Sequence, residues 1–224
     1  MENVKQDLFN FWGMDDDLGG IIPYRNFYIK SWCRDIPILK KYLFFKNFES
    51  ELNIAEIGVQ GGGSLLKTFD IIENKNVKLW GIDIWEYACD FGSNGYPKEF
   101  WTEESRIRSS NLLKECRINL ENILKEHDKN NQVKLIHGSS RDDKIISQFQ
   151  DESIDILYID GDHGFEGCYL DLLNWYPKVK KNGLIINDDY ISFESVAKAV
   201  NKFCVDMKIE TPMIESGQSC FFKR

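Results

Sequence analysis

Two short stretches of this sequence carry residue types that can do chemistry together. Ile159-Asp160-Gly161-Asp162-His163 closes one apolar run, and Ile186-Asn187-Asp188-Asp189-Tyr190 closes the next. A helix-period segment lies between them, with Tyr169, Leu170, Leu172, Leu173 and Trp175 as its buried face. Strands joined through one helix run parallel, so both acidic tips reach the same sheet edge. Neighbouring strands lie about 4.8 Å apart. Asp160, Asp188 and Asp189 are then too crowded to ionise together without a compensating cation or a shared proton. An all-oxygen carboxylate set suits a hard cation such as Mg²⁺, with waters or a substrate diol completing its shell. Asp162 and His163 flank the cluster on the turn. An imidazole can hold a hydroxyl proton at neutral pH, whereas a carboxylate is normally a weaker base. Taken singly, such acids are most often caps, and such a histidine bonds the backbone. Two acidic tips on successive parallel strands favour chemistry.

The element that must position a cofactor beside these tips begins at Asn53. Asn53-Ile54-Ala55-Glu56-Ile57 leads into Gly58-Val59-Gln60-Gly61-Gly62-Gly63-Ser64, and an apolar-periodic segment runs on to Ile72. That is strand, tight turn, helix. Glycines let the backbone turn sharply and let a ligand approach, and a helix start offers free N–H groups. The pattern predicts a nucleotide-like cofactor at the first βα turn of an open α/β sheet. The dinucleotide fingerprint G-x-G-x-x-G is broken at Gln60. Glu56, just before the turn, suits a cationic ligand. S-adenosylmethionine carries a sulfonium and an ammonium and no phosphate. Asp83, at the tip of the next strand (Val77 to Trp85), is placed to accept from both ribose hydroxyls. Ser139 and Ser140 follow a third strand, 131–137, where they either contact an adenine or cap the helix starting near Asp142. His137 reads as structural.

The bulk numbers bound the partners. At 224 residues the chain suits one well-buried domain, and a net charge of −8 argues against general nucleic-acid affinity. No apolar run approaches a membrane span, and the first residues lack a signal-peptide pattern. The six cysteines form no C-x-x-C pair, which predicts reduced thiols in the cytoplasm. Residues 1–50 read as an N-terminal helical cap, with a break at Gly19–Pro23 and an amphipathic helix over Pro37–Phe45. Tyr24, Tyr28 and Trp32 either line a substrate mouth or pack. Residues 86–102, rich in glycine and aromatics, are long for a connection and read as a lid or binding loop. A helix over 103–127 follows. The tail reads as an amphipathic helix over 192–203 and a closing hairpin from 208–214 and 219–224.

These motifs together resemble class I S-adenosylmethionine-dependent methyltransferases. They are similar in particular to the metal-dependent sugar O-methyltransferases of the macrocin and mycinose type. The glycine turn is common to many class I enzymes, while the D-G-D-H and D-D-Y pair is more specific. The resemblance covers residue 50 onward. It implies a Rossmann-like α/β fold: a mostly parallel seven-stranded sheet with an antiparallel C-terminal strand and helices on both faces, over 51–224. It implies cofactor contacts at Glu56, Gly58, Val59, Gly62, Ser64 and Asp83, with Asp160 bordering the cofactor. It implies Mg²⁺ or a similar ion at Asp160, Asp188 and Asp189. The base lies at the position of Asp162 in some members and His163 in others; this chain has both, and basicity favours His163. The expected acceptor is a small-molecule hydroxyl, most readily a sugar of a bacterial glycan or natural product. Neither nucleic acid nor membrane is expected as a partner, and a homo-oligomer is left open. Competing readings are other chemistry on the same fold (a hydroxylase), a nicotinamide dehydrogenase and a non-catalytic cofactor-binding module.

Overall fold

The apolar runs become strands because a parallel sheet covered on both faces buries nearly every side chain. A computed structural model describes residues 20–31, 36–46, 48–86 and 103–224. In chain order the described elements begin with strands β1 (Gly20–Tyr24) and β2 (Phe27–Ser31), helix α1 (Pro37–Phe44) and strand β3 (Leu52–Ile57). Helix α2 (Gly63–Ile72), strand β4 (Val77–Asp83), helix α3 (Glu103–His127) and strand β5 (Val133–His137) follow. Next come α4 (Asp143–Ile146), β6 (Ile154–Ile159), α5 (Phe165–Trp175) and β7 (Val179–Asn187). Helix α6 (Glu194–Asp206) and strands β8 (Met213–Glu215) and β9 (Gln218–Phe222) complete them. Trp32 and the aromatic loop 87–102 lie outside the described residues. No helix among the described residues is long and apolar enough to cross a membrane.

The seven-stranded sheet has the order β5-β4-β3-β6-β7-β9-β8. Strands β5 through β7 in that order are parallel, and β9 runs antiparallel to β7 and to β8. This is the sheet the resemblance implies. Successive side chains leave a strand on opposite faces. Ile54, Leu79, Ile156, Leu184 and Ile186 therefore join one core with α2, α3 and α1. Ala55, Ile57, Leu157 and Ile185 join the other with α5 and α6. Strand order reverses between β3 and β6, the position at which open α/β sheets leave a crevice beyond their carboxyl ends. Glu56, Asp83 and Asp160 all stand at that end.

The N-terminal segment differs from the helical expectation. Gly20–Tyr24, inside the expected break, pairs with Phe27–Ser31 as an antiparallel hairpin, and only α1 is helical among the described residues there. Ile21, Ile22, Tyr24, Phe27, Tyr28 and Ile29 pack on the first core. Their β-branched and aromatic side chains fit a pleated, half-buried surface better than a helix. The hairpin tip is tied down at both sides. Tyr24 and Arg25 donate to Asp70 at 2.7 and 2.8 Å, Arg25 also reaches Glu73, and Asn26 donates to Glu126 at 2.7 Å. Asn119 donates to the Tyr28 carbonyl at 2.6 Å. Tyr24 and Tyr28 therefore pack.

Strand β2 ends against the glycine turn. A Cβ at Gly61 would lie 1.6 Å from the Lys30 carbonyl oxygen. Gly61→Ala should push β2 off the turn, at a cost of about 1–3 kcal/mol. Hydrogen exchange should then quicken at 27–31 and stay slow in β3 and β6. Unchanged protection over 27–31 would show that the contact does not hold the hairpin.

Candidate active site

The first βα turn is built by close backbone contact. Gly58 has φ +84°, and a Cβ there would lie 1.9 Å from the Asp160 carbonyl oxygen. Only glycine lets the tips of β3 and β6 approach this closely. Gln60, with φ 51°, and Gly62, with φ 87°, carry the turn through left-handed conformations into α2. Asp83 fixes the turn from the neighbouring strand. Its Oδ2 accepts the Val59 and Gln60 amides at 2.8 Å each, and Oδ1 accepts the Trp85 amide at 2.6 Å. The Trp85 indole closes the arrangement by donating to the Gln60 carbonyl at 2.8 Å. A carboxylate has about four acceptor positions, so about one remains for a ribose hydroxyl. Burial pushes the Asp83 carboxyl above its ordinary range, and the three amides oppose that shift.

Glu56 is buried in β3 and accepts the Ser64 hydroxyl at 2.6 Å. Burial pushes its carboxyl up to about 8, against the pull of Ser64 and with the help of Asp160, Asp188 and Asp83. A carboxyl raised in this way keeps its proton unless a cation is brought beside it.

The second group lies across the crevice. One oxygen each of Asp160 and Asp189 and one imidazole nitrogen of His163 lie within 4.8 Å of one another. His163 Nε2 is 3.5 Å from Asp160 Oδ1 and 3.2 Å from Asp189 Oδ2. It is buried and makes no hydrogen bond. The ring stacks on Phe193 at 4.6 Å, and the Ser195 hydroxyl holds the His163 carbonyl at 2.6 Å. Asp189 takes φ 57°, which turns its side chain out of the strand line.

The other expected residues are engaged elsewhere. Asp188 is not brought into this group. It accepts the Tyr158 hydroxyl at 2.9 Å and the Asp189 amide at 2.9 Å, and faces the sheet interior. Asp162 accepts the Gly164 amide at 2.8 Å and Arg141 at 3.2 Å, turned toward the start of α5. Ser140 donates to the buried Asp171 at 2.6 Å, and its carbonyl accepts the Trp175 indole at 2.8 Å. Ser139 accepts the Arg141 amide at 3.2 Å. Both serines thus fasten the loop after β5, and Asp142 caps the single turn of α4. His137 bonds the Ile84 carbonyl at 2.7 Å. Sequence reasoning missed Tyr158, Asp171, Phe193 and Gln218, which read as ordinary core or hairpin residues.

A family model described as a methyltransferase domain matches residues 55–190. An uncharacterized protein of Acanthamoeba polyphaga mimivirus is 31% identical over 166 residues, covering 71% of this chain and 62% of that protein. The demethyldecarbamoylnovobiocin O-methyltransferase of Streptomyces niveus is 26% identical over 171 residues, covering 72% of this chain and 62% of that protein. The chain thus spans 62% of the length of the curated relatives it matches. Among solved structures, the O-methyltransferase NovP superposes with a TM-score of 0.60 at 18% identity, covering 84% of this chain and 78% of NovP. That likeness is one of fold.

Glu56 generates a prediction for the protein without ligands. Its folded carboxyl, raised from 4.5 to about 8, holds a proton that the unfolded chain releases. Between those values the folded state binds more protons, so stability falls as pH rises through the window. Glu56→Gln removes this loss. Thermal unfolding at pH 5.5 and pH 8 should show a smaller drop in Tm for the variant, at about 2–4 °C per kcal/mol recovered. An equal drop in both proteins would mean that Glu56 does not carry the dependence.

Proposed function

The chain belongs to the methyltransferase-domain family, and on that premise we propose that it is an S-adenosylmethionine-dependent O-methyltransferase, assisted by a divalent cation and acting on a small-molecule hydroxyl, most readily a sugar. One observation carries the reading. His163 Nε2, buried and in no hydrogen bond, faces the Asp160 and Asp189 carboxylates at the mouth of the crevice. Two carboxylate oxygens this close suit a hard divalent cation, and an unbonded imidazole nitrogen beside them can take a proton. The relative from Streptomyces niveus, named for O-methylation of demethyldecarbamoylnovobiocin, supports a small-molecule acceptor.

S-adenosylmethionine, when bound, supplies an electrophilic methyl group on a sulfonium. The glycine turn, with Gly58, Val59, Gly62 and Ser64, would receive it, Asp83 would meet its ribose, and Glu56 would face its cationic end. A divalent cation such as Mg²⁺, when bound, supplies charge that lowers the pKa of a nearby hydroxyl. Asp160 and Asp189 would hold it, with Asp188 as the adjoining acid. His163 takes the acceptor proton at Nε2. Phe193 fixes the plane of the ring, and Ser195 fixes the backbone that carries it. Asp162 is committed to Arg141 and Gly164, so of the two candidate bases the geometry favours His163. Positioning and charge stabilisation then account for much of the acceleration. A diol such as a sugar offers two neighbouring oxygens, which suits a site built around a hard cation.

Calorimetry of the EDTA-stripped protein tests the cofactor assignment. Micromolar binding of S-adenosylhomocysteine with none for NAD is expected, and binding of NAD alone would overturn it. A second experiment tests the roles at the cluster. Asp189→Asn should lose Mn²⁺ binding. His163→Gln should retain it while kcat on a glycoside acceptor with free neighbouring hydroxyls falls by about 100-fold or more. Loss of Mn²⁺ in His163→Gln would make the histidine a ligand rather than the base.

A further inference from the structure

The far end of the chain reaches the acidic cluster. The β8–β9 turn passes through Ser216 and Gly217 in left-handed conformations, with φ 52° and 90°. The Ile191 amide donates to the Gly217 carbonyl at 3.2 Å, which fastens this turn to the loop after β7. Gln218 then enters β9 with 1% exposure. Its Nε2 donates to the Tyr158 hydroxyl oxygen at 2.8 Å and reaches Asp188 Oδ1 at 3.4 Å. Tyr158, fully buried in β6, donates in turn to Asp188 Oδ2 at 2.9 Å. The Asp189 amide donates to Asp188 Oδ1 at 2.9 Å. Asp188 therefore sits within a ring of buried donors drawn from β6, β9 and its own turn. Tyr158 is also paired in register with Glu56 on β3 and with Ile186 on β7. It stands between the acid of the cofactor side and the acids of the cation side.

We propose that Tyr158 and Gln218 are positioning residues that set the cation-binding geometry of Asp189, beside Asp160, through Asp188. The inference rests on the cation-assisted reading above. Its physical basis is directional. Several hydrogen bonds from fixed elements leave the carboxyl group one orientation. The chain Gln218 to Tyr158 to Asp188 is polarised in one sense, which strengthens each bond. Asp188 so held accepts the Asp189 amide, and that bond maintains the left-handed backbone turning Asp189 toward His163 and Asp160. Groups behind the ligands of a metal site typically change its affinity 10–100-fold when removed. A purely structural hydroxyl or amide would lower the melting temperature and leave metal affinity alone.

The test uses the full chain, with Mn²⁺ binding followed by electron paramagnetic resonance and S-adenosylhomocysteine binding by calorimetry in EDTA. Tyr158→Phe removes only the hydroxyl. Gln218→Met keeps side-chain length and removes both donors, and it carries the test alone if the first variant does not fold. Each should weaken Mn²⁺ binding about tenfold or more, with S-adenosylhomocysteine affinity within about twofold of the parent. Unchanged Mn²⁺ affinity in a folded variant, with only a lower melting temperature, overturns the proposal. A parent protein that binds S-adenosylhomocysteine but no Mn²⁺ overturns the cation-assisted reading, and the positioning role with it. The two failures are thus told apart.

Discussion

Carboxylates converge on one end of a parallel sheet, and the architecture around them is a set of answers to their mutual repulsion. Glu56, Asp83, Asp160, Asp188 and Asp189 all stand at or just past the carboxyl ends of β3, β4, β6 and β7. Like charges this close and this dry cannot all ionise unaided. Each acid is handled differently. Glu56 is driven by burial toward keeping its proton and accepts the Ser64 hydroxyl. Asp83 is wrapped by three backbone amides. Asp188 is held by Tyr158 and Gln218. Asp162, one turn away, is matched by Arg141. Asp160 and Asp189 instead face His163, and that pairing is where an added cation or a captured proton would settle the charge.

The same distribution explains what was legible in the sequence. A strand buried on both faces must be nearly all apolar, so an acid at its tip stands out against the run before it. That is why Glu56, Asp83, Asp160 and the Asp188-Asp189 pair could be placed at strand tips from sequence, together with the helix joining the last two strands, while the order of strands in the sheet could not. The glycine turn was legible for a related reason. Gly58 is required by contact with Asp160, a residue about a hundred positions later, yet the requirement shows locally as a glycine after a strand.

What stayed hidden is the set of partners. Tyr158 sits in the run Ile154–Ile159 and reads as core, because nothing local says that its hydroxyl meets Asp188 thirty positions away. Gln218 reads as a turn residue for the same reason. Ser139 and Ser140 could equally have met a ligand or the loop, and nothing local shows that they bond Asp171 and the Arg141 amide. The N-terminal hairpin misled through composition. Its glycines and proline suggest a break, but Ile21, Ile22 and Ile29 need a pleated surface on which to pack, and the ties to Asp70, Glu73 and Glu126 that hold it come from helix ends far along the chain.

Two hairpins at opposite ends of the chain thus serve the site in the same physical way. Strand β2 sets the Lys30 carbonyl against Gly61 and limits how far the glycine turn can open. The β8–β9 hairpin carries Gln218 to the back of Asp188 and limits how that carboxylate can rotate. Neither hairpin supplies a group to the crevice among the described residues; each removes a freedom from an element that does. Helix residues brace neighbouring groups: Ser64 of α2 holds Glu56, and Ser195 of α6 holds the backbone of His163. The two hairpins reach the site by different routes: β8–β9 continues the large sheet beyond β7, whereas β1–β2 is a separate two-stranded sheet packed on the first core.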